Sequence, residues 1–107
     1  MALQDQVALA ADSSFIARVR QSMIAAAIAI QSESATSVAL HEQRAKLAKA
    51  VMNAPDNYSP LFAKAVATDS AVQTAYIGGG NVQTAVTDTP INNAVSAMWN
   101  SFFSLWD

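Results

Sequence analysis

Phe15-Ile16-Ala17-Arg18-Val19-Arg20-Gln21-Ser22-Met23-Ile24-Ala25-Ala26-Ala27-Ile28-Ala29-Ile30 is the stretch whose reading decides the fold. Phe15, Val19, Met23, Ala27 and Ile30 recur at intervals of three and four, the period of one helix face. Ile16, Ile24 and Ile28 form a second row beside the first. An apolar face this wide belongs to a helix with neighbours on more than one side. The alanines between the large residues let those neighbours approach closely. Asp12-Ser13-Ser14 precedes the stretch, and such side chains accept hydrogen bonds from the free amides of a first turn. The spacing therefore predicts a central helix over 13–33. Its apolar run, Met23 to Ile30, is eight residues long. That is far short of the ~20 residues needed to cross a bilayer. Arg18 and Arg20 give the run a basic flank, but it starts late, after Asp5 and Asp12, so a buried helix is expected rather than a signal peptide.

Working outward, residues 2–11 are rich in Ala, Leu and Gln and read as a short helix. Ser32 to Ser37 is a Ser/Thr/Glu loop. A third helix is expected over 37–54, with Leu40, Leu47, Val51 and Ala54 on one face. Glu42 and Lys46 stand four apart in the favourable order. Pro55 ends this helix, because the residue before a proline is pushed out of the α region. Ser59-Pro60 reads as a new start, with serine as N-cap and proline at the first helical position. The helix it opens carries Leu61, Phe62, Ala65 and Val66. Val72-Gln73-Thr74-Ala75 recurs as Val82-Gln83-Thr84-Ala85 around Gly78-Gly79-Gly80-Asn81. Two readings stand for 70–89: a weak β-hairpin, or a Gly-rich loop after a short helix from Asp69. Thr89-Pro90 repeats the cap-then-proline signature and opens a last helix over 90–106. The expected fold is all-α, a small bundle of four to five helices forming a single helical domain over 1–107.

The chain has 107 residues, six basic and eight acidic side chains, one histidine and no cysteine. The absence of cysteine removes disulfides, thiolate metal sites and cysteine nucleophiles together. A net charge of −2 gives no basic footprint for nucleic acid. Leu, Ile, Val and Phe number 25, enough for a core, and alanine adds 23 small residues to it.

Charge is distributed unevenly. Twelve of the fourteen charged side chains lie in the first 69 residues, and between Ser70 and Trp106 Asp88 stands alone. On the last helix the polar face is Asn92, Asn93, Ser96, Asn100, Ser101 and Ser104, all neutral. A solvated helix face usually carries charges, because they are costly only when buried. Four of the eight aromatic residues sit in 99–106. A charge-poor, aromatic surface resembles the centre of a protein interface. Trp99, Phe102, Phe103, Leu105 and Trp106 are accordingly the expected interface residues. The alternative for Trp99 in particular is the chain's own core.

No constellation for catalysis is present in the pattern. His41-Glu42 resembles the opening of a zinc-protease helix, but residue 45 is alanine where the second ligand would stand. The glycine run at 78–80 is followed by no Lys-Ser or Lys-Thr, so it is not a phosphate cradle. Arg44, Lys46 and Lys49 read as a solvated helix face balanced by Glu42. Asn57-Tyr58-Ser59 is a glycosylation sequon that carries weight only in a secreted chain.

Several segments together resemble a family of small proteins encoded in tailed-bacteriophage genomes, within the virion-structure gene block. Leu3-Gln4-Asp5-Gln6-Val7-Ala8-Leu9-Ala10 followed by Phe15-Ile16-Ala17-Arg18-Val19-Arg20 is similar to the family's start. Arg44-Ala45-Lys46-Leu47-Ala48 leading to Val51 and the Pro55-Asp56-Asn57-Tyr58 turn is similar too. Phe62 with Ala65-Val66-Ala67, and Ile91 through Val95 to Trp99-Asn100, complete the pattern. The stretch 70–88 departs from it. The resemblance implies a structural or assembly role in a phage particle, at neck, tail or capsid surface, and carries over no catalytic residue. The expectation is thus a non-enzymatic virion protein, made in the host cytoplasm, that contacts other virion proteins and itself. No cofactor, metal, nucleic acid, membrane or small-molecule substrate is expected. The competing expectation is a non-packaged phage adaptor that binds a host protein through the same last helix.

Overall fold

The computed structural model describes residues 3–32, 38–76 and 88–104. Regular structure there is entirely α-helical: α1 (Leu3–Ala11), α2 (Ser13–Ser32), α3 (Val38–Asn53), α4 (Pro55–Val66), α5 (Ser70–Tyr76) and α6 (Thr89–Ser104). The described residues form the small all-α bundle the periodicity predicts, with one helix more among them than expected.

α2 is the axis, packed against α1, α3, α4 and α6. Phe15, Val19, Met23 and Ala27 are fully buried along it, as their spacing requires. Ile16, Ile24 and Ile30 pack on this core from its margin. Ile28 is 53% exposed, so the second row turns to solvent at its end. Asp12 caps the helix: its carboxylate accepts the Phe15 N–H at 2.9 Å, and its carbonyl accepts the Ile16 N–H at 2.9 Å.

Ala48 and Val51 of α3 are buried, with Leu47 and Met52 packed beside them. α3 ends just before Pro55, but the restart at Ser59-Pro60 is corrected by the structure. α4 begins at Pro55 itself, and Pro60 lies inside the helix. Pro55 fills the first helical position, where its fixed φ is already helical and its missing N–H costs nothing. Pro60 then removes one bond to the carbonyl of Asp56 within the helix. Ser59 is buried within α4 and does not act as a cap.

The hairpin reading of 70–89 is corrected in its first half. Val72-Gln73-Thr74-Ala75 lies in α5. The Asp69 carboxylate accepts the N–H groups of Ala71 at 2.9 Å and Val72 at 3.1 Å, which starts a helix there. Val72 and Tyr76, four apart, then bury on one side, and Tyr76 meets Phe15 edge-to-face at 6.0 Å. Capping and burial together override the β preference of valine and threonine. The glycine run and the second Val-Gln-Thr-Ala lie outside the described residues.

α6 starts one residue earlier than expected. Asp88 precedes it and accepts the Asn92 N–H on its carbonyl at 2.8 Å. Ile91, Ala94, Val95, Trp99 and Phe103 face inward. The resulting buried cluster draws on all six helices.

Candidate docking surface

α1 has two apolar sides. Leu9 points into the core, whereas Leu3, Val7, Ala10 and Ala11 share the other side. Pro60, Lys64 and Thr68 stand four apart along α4 and its C-terminal end and face them. Between these walls lies a groove of about 300 Å³, closed further by Gln6. Its apolar character is unspent: Leu3 is 74% exposed and Val7 61%. Scattered surface leucines need no explanation, but contiguous exposed apolar side chains mark interaction sites. Lys64 is the sole charged residue among those that line it.

A second groove, about 370 Å³, runs between α4 and α6. Ala65, Asp69, Ala94, Ala97, Met98 and Phe102 are among its walls, and Thr68 borders both grooves. The solvent-facing crest of α4 therefore separates α1 from α6. Beyond this groove Asn92, Asn93, Ser96, Asn100 and Ser101 are exposed, so the outer face of α6 is polar and neutral as the sequence indicates.

The aromatic residues divide differently from the expectation. Trp99 and Phe103, assigned from sequence to a partner, are 2% and 6% exposed and belong to the chain's own core. Phe62 lies 5.3 Å from Trp99 and 5.4 Å from Phe102, and Phe103 stacks on Trp99 at 5.8 Å. The Arg44 guanidinium sits 5.0 Å over the Phe103 ring, a cation–π cover supplied by α3. These two rings are buried because α6 packs against α2, α4 and α5, with Arg44 of α3 reaching over Phe103. Phe102 is half-buried and keeps a place in the α4–α6 groove. Leu105 and Trp106 lie outside the described residues. The indole Nε1 of Trp99 is buried with no hydrogen-bond partner among the described residues.

The basic cluster also separates. Arg44 is drawn over Phe103, while Lys46 and Lys49 are exposed. Two polar contacts between distant elements have no counterpart in the sequence reading: Arg18 of α2 with Asp88, which Tyr76 also meets, and Arg20 of α2 with Asp56 of α4 at 2.9 Å. Burial, and then the charge of Asp88, push the Tyr76 phenol above its ordinary value of 10.0. Among the described residues no three His, Asp or Glu side chains converge in a way that could hold a metal ion. No described helix is long and apolar enough to cross a membrane.

No protein-family model matches the chain, and neither a curated protein nor a solved structure is significantly similar to it.

Proposed function

We propose that the protein is a structural or assembly component of a tailed-phage particle, working through repeated protein–protein contacts. The observation that carries this reading is the α1–α4 groove, with Leu3 and Val7 left to solvent. Covering such side chains yields ~25 cal/mol per Å² of apolar area removed from water. In a symmetric particle that gain is repeated at every copy. The resemblance of the sequence to a virion-block family supplies the phage setting.

Quantitative mass spectrometry of purified particles tests it. The expected result is the protein at a fixed copy number. A low, ring-like number assigns it to the neck or tail, and hundreds of copies assign it to the capsid surface or tail tube. Absence from particles, with abundance in infected cells, overturns the reading in favour of an adaptor for a host protein.

A further inference from the structure

We infer that α1 is an exchangeable arm: two copies of this chain pair by trading α1, each seating it on the α4 of the other, with Asp12 as the hinge. The inference rests on the reading of the protein as one that acts by protein contacts, and it names a second copy as one partner.

α1 is held by little. Of its nine residues Leu9 alone is buried, while Leu3 is 74% exposed and Val7 61%. A helix this short does not persist in water by itself, so packing on α4 and α2 is what keeps it folded. Elements with so little burial are the ones that open first.

The join to α2 is a single residue. Asp12 closes α1 by donating its N–H to the Leu9 carbonyl at 3.0 Å, and it caps α2 by accepting the Phe15 N–H on its carboxylate at 2.9 Å. Residues 3–32 contain no glycine and no proline to force a break. Leu9, Ile16, Met23 and Ile30 recur every seven residues, about two helical turns, straight through the join. Leu9 and Met23 are buried, and Ile16 and Ile30 pack at the margin of the core. The pattern is that of one continuous helix interrupted by the Asp12 cap.

Straightened at Asp12, α1 reaches about 14 Å along the axis of α2 and leaves α4. Leu9 and the seat on α4, edged by Pro60, Lys64 and Thr68, are then uncovered together. The α1 of a second copy fits that seat, because the seat is where α1 packs in this structure. The grooves on α3 and between α4 and α6 have no such demonstrated occupant. Reciprocal exchange covers both released arms and closes a two-fold dimer.

Sedimentation velocity on the full-length wild type across a concentration series should show a monomer passing to a dimer. Asp12→Ala removes the cap that favours the broken form. It should tighten the dimer at least about tenfold, the effect of a lost cap at each of two hinges. Ser13→Pro acts in the opposite direction. Proline suits the first position of α2 but cannot donate to the Leu9 carbonyl in a continuous helix, so this variant should stay monomeric. Circular dichroism checks that both variants remain helical. The decisive arm combines Val7→Cys with Lys64→Cys, two positions that line one groove from α1 and α4 in a chain with no native cysteine. A short bismaleimide should join them within one chain in the monomer fraction and between two chains in the dimer fraction, which a denaturing gel separates. A wild type that stays monomeric at all concentrations overturns the inference. So does a dimer fraction whose links stay within single chains, an Asp12→Ala dimer no tighter than the wild type's, or a Ser13→Pro chain that dimerises as the wild type does. These outcomes leave the particle measurement untouched, because a virion protein can bind other proteins without binding itself.

Discussion

Arg18 of α2 donates a hydrogen bond from Nη1 to Oδ1 of Asp88 at 2.8 Å, joining residues 70 positions apart. Asp88 is the lone charge between Ser70 and Trp106, and this contact is where it is used. The Tyr76 hydroxyl meets the same oxygen at 3.4 Å, so α2, α5 and the start of α6 converge on one carboxylate. The side chains of Arg18 and Asp88 are 25% and 35% exposed, which shields the pair from water in part. A double-mutant cycle with Arg18→Met and Asp88→Asn should give a coupling of about 1 kcal/mol. Coupling indistinguishable from zero in urea denaturation would mean that burial alone docks α6.

The raised Tyr76 phenol gives a pH dependence whose sign follows from linkage. Above pH 10.0 the unfolded chain loses this proton first, while the folded chain retains it. The folded state then binds more protons, so stability falls as pH rises through that window. Tyr76→Phe should be less stable at neutral pH yet show a shallower decline above pH 10.0. Denaturation midpoints between pH 8 and 11 check this, and identical slopes for the two proteins would contradict it.

Ala26 and Ala27 are adjacent but not equivalent. Ala27 is fully buried, and Ala26 packs at the margin of the core. Sequence spacing alone makes Ala26→Leu an overpacking change of about 1–3 kcal/mol. With the burial known, that penalty belongs to Ala27→Leu, and Ala26→Leu should cost less. Thermal melts of the two variants order them, and equal melting temperatures would refute the assignment.

How much of this was legible beforehand depended on the period of each segment. The 15–30 stretch announces its own burial, because Phe15, Val19, Met23 and Ala27 keep helical spacing and lie at zero exposure. Asp12 was recognisable as a cap from its position before that run. Trp99 and Phe103 were not separable from interface residues, because periodicity says that a face is covered and not by what. Only the placement of Phe62 and Arg44 shows that this chain covers them. In the same way Leu61 and Phe62 are neighbours in sequence, yet one is 56% exposed and the other fully buried. The groove had one readable sign, the recurrence of Leu3, Val7 and Ala10 on α1 away from Leu9. The ion pair of Arg18 had another, in the isolation of Asp88.

Asp69 holds the first turn of α5, a helix of seven residues that is too short to persist without support. Asp69→Ala should lower stability by about 0.5–2 kcal/mol, the range for a lost cap. Hydrogen exchange should then quicken at Gln73, whose amide bonds to the Asp69 carbonyl at 2.9 Å. Unchanged protection there would show that Val72 and Tyr76 hold α5 by burial alone.

The Trp99 indole, without a hydrogen-bond partner among the described residues, carries a penalty that isosteric chemistry can remove. Benzothienylalanine keeps the ring shape and replaces the N–H with sulfur. Placed at position 99, it should raise stability by about 1 kcal/mol, because a buried unmatched donor costs ~1–3 kcal/mol. Reduced stability in urea would show that the N–H is satisfied in solution.

The central claim is that this chain meets its neighbours through the exposed apolar side of α1 and α4. Site-specific photo-crosslinking in cells that make the protein tests it most directly. A benzophenone side chain at Val7 probes the groove, and one at Asn93 probes the exposed polar face of α6. The account predicts protein–protein cross-links from position 7 and few or none from position 93. Cross-links from position 93, with none from position 7, would contradict it.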